Sequence, residues 1–355
     1  MGVYTTIDKP EDYFKTVLYT GTHSSVPTVT VGFKSDFLWL KSRTQTYDHN
    51  LLDTSRGGTK KLASNNTNSE STTGDSVTFN ATTFQPSGQA INESGQGTNN
   101  MVSWSWKCNG GTTATNTDGA TNGYNTTVQA NQTAGFSIVQ WDAAFDQGNG
   151  RYNLGHGLGK IPDFIIMKNR EASGDWYVHH KNIDDNDYLR LNLDNATSNT
   201  GARYTFYRPD FTNAIFNVDY NNIVTQNHAY IAYVFASIQG YSKFDSYTGN
   251  GSTDGPCIYT GFKPAWLIIK RIDSANDWFI FDNNRDSYQN PFADILLSNT
   301  SAVENADTGR GDFLSNGFKI RSSANAFNAN NGVYIYAAFA ESPFVSSAGV
   351  PTTAE

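Results

Sequence analysis

Apolar residues along this chain come in runs of four to eight, bounded by Gly, Asn, Asp and Pro. Runs of that length, rich in β-branched and aromatic side chains, predict strands. One kind of run recurs. Phe37-Leu38-Trp39-Leu40, Phe164-Ile165-Ile166-Met167 and Trp266-Leu267-Ile268-Ile269 are closed by Lys41, Lys168 and Lys270, with Arg43, Arg170 and Arg271 just beyond. Each follows a glycine and a second lysine: Gly32 and Lys34, Gly159 and Lys160, Gly261 and Lys263. The runs are continuous, so these strands are expected to be covered on both faces.

Three further landmarks recur in a fixed order. An aromatic opening segment comes first: Val17 to Gly21, Phe136 to Trp141, Tyr241 to Gly249. After the lysine-closed run comes a Leu-Asn segment: Lys61 to Asn65, Leu191 to Asn195, Leu296 to Thr300. An aromatic closing run ends each copy: Met101 to Lys107, Tyr230 to Ala236, Tyr334 to Ala340. In the closers, Trp104-Ser105-Trp106 and Tyr334-Ile335-Tyr336 alternate, as one-face burial requires, and some of their rings could lie at a module interface. Self-similarity at long spacing indicates one module repeated three times. The expected fold is all-β, with three tandem antiparallel β-sandwich modules, jelly-roll-like. The modules would span 15–110, 135–239 and 240–343, each burying its own aromatic heart. Residues 1–20 would form a docking arm and first strand, 111–134 an Asn/Thr/Gly-rich linker, and 344–355 a tail. Trp141 to Phe145 allows at most one helical turn.

Composition changes this picture in a few places. A length of 355 residues allows roughly two or three domains. The mean hydropathy of −0.51 would suit a disordered chain. The 19 Tyr, 22 Phe and 7 Trp argue against that, because disordered chains lack aromatics. A net charge of −8 with no basic cluster argues against a nucleic-acid partner. No signal peptide or membrane span is expected. Cys108 and Cys257 sit in different copies, which makes neither a disulfide framework nor a zinc site; both are expected to be reduced and structural.

Candidate chemistry is sparse. Gly155-His156-Gly157-Leu158-Gly159 has the wrong spacing for a dinucleotide loop and precedes a strand; it reads as a tight turn. His179-His180 near Asp184, Asp185 and Asp187 suggests a metal. Adjacent histidines on a strand point to opposite faces, however, so none is assigned. The repeated lysines and arginines could bind an anion, but the plainer expectation is that they end strands and pair with acids across the sheet. Trp176 and Trp278 recur at one module position. They are the candidates for stacking on a glycan, against the plainer reading of core residues. No catalytic, cofactor-binding or metal-binding residue is assigned, and no cofactor is expected.

Several stretches resemble structural proteins of marine tailed bacteriophages. They are Tyr4 to Pro10 with Asp12 to Gly21, Asn50 to Gly57, Gly155 to Gly159, and Asp312 to Ile320. The resemblance covers nearly the whole chain and carries no catalytic residues. It implies a non-enzymatic virion protein on the particle exterior, a tail fibre or spike subunit for host attachment. The alternatives are a head decoration protein, and then a glycan-binding or glycan-degrading spike. Implied partners are other virion proteins met through the N-terminal arm, further copies of the chain (a trimer), and a host surface glycan or protein.

Overall fold

The lysine-closed runs are strands in all three copies, Phe37–Ser42, Phe164–Asn169 and Phe262–Arg271. The computed structural model describes all residues except 1–3, 23–24, 93–98, 144–150, 186, 200–204, 220–222, 287–289 and 352–355. Each lysine-closed strand has the same neighbours. On one side lies the closing strand, Asn99–Trp106, Ala229–Phe235 or Val333–Pro343, and beyond it the opening strand, Phe14–Gly21, Phe136–Asp142 or Ser242–Thr248. On the other side lies a fourth strand, Asn50–Asp53, Tyr177–His180 or Trp278–Asp282. All these pairs are antiparallel, and the register repeats: Phe37, Phe164 and Trp266 stand opposite Trp106, Phe235 and Phe339. The protein is all-β, and the described residues include one α-helical turn, Asn325–Asn328.

The second layer differs between copies. In the first it is a three-stranded sheet of Val29–Thr30, Thr83–Ser87 and Ser76–Phe79. In the second it is Ile215–Asp219, Arg151–Gly155 and Gly123–Tyr124. The third copy continues its own sheet to eight strands and brings the two ends together, where Lys243 Nζ donates to the Tyr259 carbonyl at 2.7 Å.

The period of two sorts the apolar residues. Leu38 and Leu40 face the first copy's own second sheet, while Phe37 and Trp39 face the other way. Ile165 and Met167 against Phe164 and Ile166, and Leu267 and Ile269 against Trp266 and Ile268, repeat the division. Both faces are covered, as the continuous runs require. The closing strands are also buried on both faces, contrary to the one-face expectation: Ser103 and Ser105 are as buried as Trp104 and Trp106.

Each copy has an outer core of its own, but of the tryptophans only Trp141 sits in one, that of the second copy. A fourth cluster takes Trp39, Trp104 and Trp106 from the first copy, Phe164, Trp176, Tyr233 and Phe235 from the second, and Trp266, Trp278 and Phe339 from the third. The expectation that each module buries its own aromatic heart is therefore corrected. At the centre meet three equivalent side chains. Trp106 lies 6.5 Å from Phe235 and 5.5 Å from Phe339, and those two are 5.8 Å apart. Three equivalent groups in mutual contact place the copies around an approximate threefold axis. Edge-to-face rings at these separations add to what burial of their area contributes.

The stretch expected as a linker, 111–134, contains strands Ala114–Asn116 and Thr126–Asn131, which extend the second copy's sheet beyond its opening strand. Its polar composition hides this because its fully buried position is held by Gln129. Trp141 and Asp142 end a strand, and Phe145 lies outside the described residues.

Candidate functional site

The repeated polar residues converge on the seams between copies. Asp48-His49, Asp175-Trp176 and Asp277-Trp278 open the fourth strands, and Asn65, Asn192 and Asn299 close over them. In every copy the Asn Oδ1 accepts the backbone N–H of His49, Trp176 or Trp278, at 2.9, 2.8 and 3.0 Å. The Asn Nδ2 donates to Asp48, Asp175 or Asp277, at 2.6, 2.8 and 2.6 Å. This clamp fixes the ring that follows. Trp176 Nε1 donates to the Ala63 carbonyl of the first copy at 2.7 Å, and Trp278 Nε1 to the Arg190 carbonyl of the second at 2.9 Å. His49 holds the equivalent place. Its Nδ1 accepts from Trp39 at 2.8 Å, which leaves Nε2 to donate to the Leu297 carbonyl of the third copy at 2.9 Å. Second to first, third to second and first to third, the contacts close a ring.

Main-chain bonds close the same ring: Glu70 N–H to the Arg170 carbonyl at 2.8 Å, Thr197 N–H to Ile272 at 3.0 Å, and Glu304 N–H to Arg43 at 2.9 Å. The three lysines are buried. The expectation that they pair with acids across the sheet is corrected, because the groups nearest their ammonium ends are backbone carbonyls. Lys168 donates to Thr67 of the first copy at 2.9 Å, Lys270 to Asp194 of the second at 3.1 Å, and Lys41 to Ser42 beside it at 2.8 Å. Desolvation pulls each of them down to about 8.

Two seams carry buried ion pairs. Between the first and second copies, Arg56 meets Asp53 at 2.6 Å and Glu70 at 3.1 Å, and Arg170 reaches Glu70 at 2.9 Å. Asp53 also accepts the Tyr233 hydroxyl at 2.9 Å. Between the third and first, Arg285 meets Asp282 at 2.5 Å and Glu304 at 2.9 Å. Arg43 reaches Glu304 at 2.9 Å, and Trp104 Nε1 donates to Asp282 at 3.0 Å. The seam between the second and third copies lacks this set of ion pairs. His180, Ile183, Thr197 and Ala337 stand where the other two have Asp, Arg, Glu and the Tyr or Trp donor. His180 accepts from Asn182 N–H at 3.2 Å and faces the Tyr336 carbonyl at 3.2 Å. Burial pushes its pKa down to about 3, as it does for His49. Arg271 turns to Asp273 at 2.7 Å.

Trp176 and Trp278 are 0% and 1% exposed. Their rings lie in the shared core, so no face is free to stack on a sugar. His179 and His180 do point to opposite faces, His179 against Phe206 and Phe211, and His180 across the seam. Among the described residues no group of three His, Cys, Asp or Glu is placed to hold a metal. Gly157 and Gly159, at φ +70° and +69°, make the turn expected before the second lysine-closed strand. Cys108 is buried and Cys257 exposed, both free; Cys257 lies on an edge strand, outside any core. The N-terminal arm is engaged with its own chain: Tyr4 OH lies 2.9 Å from Tyr259 OH, and Thr5 Oγ1 donates to the Gln239 carbonyl at 2.9 Å.

Clefts among the described residues include three that bear on the seams and the N-terminal arm. One of about 290 Å³ is walled by Tyr47, Lys61, Asn68 and Asp75. One of about 470 Å³ lies under the N-terminal arm at Thr5, Gln132 and Lys160. One of about 200 Å³ lies at the seam between the third and first copies. The seams themselves were partly visible in sequence as the repeated Asp-Trp and Leu-Asn segments. His49 was missed because its residue type differs from tryptophan, and Arg56 and Arg285 because the second copy lacks their counterpart.

Fold and seams together define an all-β protein in which three copies of one strand unit close around a common core. The chain belongs to the family described as Domain of unknown function (DUF7483), whose model matches residues 9–343, a span containing all three copies. No curated protein and no solved structure matches the chain.

Proposed function

We propose that this protein is a non-enzymatic structural component of a bacteriophage particle, carried on its exterior as a tail fibre or spike subunit that contacts the host surface. The observation that supports this most is where the repeated chemistry goes. Lys168, Lys270, Trp176, Trp278 and His49 each donate to a carbonyl of a neighbouring copy, and the clamp asparagines hold the segments that carry Trp176, Trp278 and His49. What recurs three times is therefore assembly chemistry, and loops on so rigid a body are suited to recognition. The threefold arrangement inside one chain also supplies the symmetry that a trimer of chains was expected to provide, so the chain is proposed to act as a single pseudo-trimeric unit.

A second reading, decoration of the head, draws support from the same symmetry, which matches the threefold positions of a capsid lattice. The glycan-stacking role has lost its two candidate tryptophans to the core. Cryo-microscopy of purified particles tests the proposal. Density for this fold at the tail supports attachment, density on the head lattice alone replaces it with decoration, and absence from the particle overturns both. Incubation with host envelope glycans should release no reducing ends.

A further inference from the structure

The three opening strands are equivalent, but their outer edges are not treated alike. In the second copy, Thr126–Asn131 pairs with Phe136–Asp142, with Gln129 opposite Ile138 and Thr127 opposite Gln140. In the first copy the opening strand Phe14–Gly21 ends its sheet, and among the described residues no strand pairs with its outer edge. Its backbone alternates in direction. Tyr13 accepts from Lys107 on the closing-strand side, while the Thr16 carbonyl faces outward to Asn284 Nδ2 at 2.7 Å. The main-chain groups of Leu18 and Thr20 therefore also face outward. Leu18 is 38% exposed.

The niche beside this edge differs in the same way. At the seam of the first and second copies, the Gln129 side chain fills it. Its Nε2 donates to Thr54 and Ser55 at 3.0 and 2.7 Å, and its Oε1 accepts from Asn109 and Gly111 N–H at 3.1 and 2.8 Å. At the seam of the third and first copies, Asn283 and Asn284 stand where Thr54 and Ser55 do, since Asn283 N–H bonds Ala265 as Thr54 N–H bonds Asp36. Among the described residues the Asn284 side chain reaches the Thr16 carbonyl there at 2.7 Å, and no counterpart of Gln129 occupies the rest of the niche. It is the cleft of about 200 Å³, and the Thr16 hydroxyl lining it is buried without a hydrogen-bond partner.

We propose that the outer edge of Phe14–Gly21 and this cleft accept an extended segment of a different protein chain, added as a strand in the manner of Thr126–Asn131. Edge strands recruit such segments through main-chain hydrogen bonds, with side-chain pockets setting the register. The chain itself shows the chemistry of the guest: polar and β-branched residues, with a glutamine or asparagine opposite Thr16 whose amide reaches Asn283 and the Thr16 hydroxyl. The proposal does not rest on the virion reading.

A synthetic peptide with the sequence of residues 123–133 serves as the probe against the whole chain, read by calorimetry. It should bind one to one, and changing its Gln129 to Val should abolish measurable binding. Leu18→Pro removes an outward donor at an edge position, where proline is tolerated, and should weaken binding by about tenfold or more. Crosslinking provides a check that does not depend on affinity. In a Cys257→Ser background, Leu18→Cys should form a disulfide with a peptide carrying Thr127→Cys and not with one carrying Ala130→Cys. Failure to bind, binding indifferent to Leu18→Pro, or crosslinks without positional preference would overturn the proposal. So would self-association of the chain through Leu18, which would make a second copy the occupant.

Discussion

Two seams of this ring are ionic and the third is not, although all three share one backbone and one clamp. Between the first and second copies, Asp53, Arg56, Glu70 and Tyr233 form one connected group. Between the second and third copies, all four positions change together, to His180, Ile183, Thr197 and Ala337. Removing one partner of a buried pair leaves an unpaired charge, whereas removing the whole set leaves none. The third seam thus shows which parts of the ionic seams act as a unit, and which parts, the clamp asparagine and its carbonyl-seeking ring, act alone.

The comparison can be broken hardest at a single charge. Arg285→Met should cost about 3–5 kcal/mol, because Asp282 and Glu304 stay buried without it. Guanidinium unfolding would measure it. Replacing the first seam's whole set, Asp53→His, Arg56→Ile, Glu70→Thr and Tyr233→Phe, which keeps the ring stacked on Phe37, should cost less than the four single losses added together. If the losses simply add, the four residues are not a unit.

The clamp rings predict a smaller, uniform effect. Trp176→Phe and Trp278→Phe each strand a carbonyl of the neighbouring copy and should each cost about 1–3 kcal/mol. Unequal losses at the ionic seam and at the seam without those ion pairs would show that the clamp depends on the charges beside it.

Titration separates the buried histidines and Glu70 from the buried lysines by sign. His49 and His180 have folded values near 3, below the ordinary value of about 6.5. The unfolded chain therefore takes up protons first, and stability falls as pH drops below about 6.5 toward 3. Burial would raise the Glu70 carboxyl, but Arg170 and Arg56 outweigh it and hold the pKa below its ordinary value. Its contribution is lost as the medium becomes acidic enough to protonate it. The three lysines, near 8, act at the other end: unfolding takes up protons between about 8 and 10.4, so stability rises with pH across that window. His180→Gln should flatten part of the acid limb without touching the alkaline one. Chemical denaturation repeated across pH reads both limbs.

Much of the layout was legible as pattern. The lysine-closed runs and the order of landmarks announced three sheets of equal order, because burial on both faces demands unbroken apolar residues. What pattern could not show was where each second face is buried. Phe37 and Trp104 read as core in any arrangement, and only their neighbours Tyr233 and Asp282, from other copies, reveal a shared core. The strand at Thr126–Asn131 was hidden for a related reason: a buried glutamine with satisfied hydrogen bonds looks like a loop residue in sequence.

The most direct test of the shared core is amide hydrogen exchange on Trp106→Ala, which empties one of the three positions on the axis. The loss should be about 3–5 kcal/mol. It should lower protection together in Phe37–Ser42, Phe164–Asn169 and Phe262–Arg271, one strand from each copy. Loss of protection confined to the first copy, with the other two unchanged, would contradict a common core.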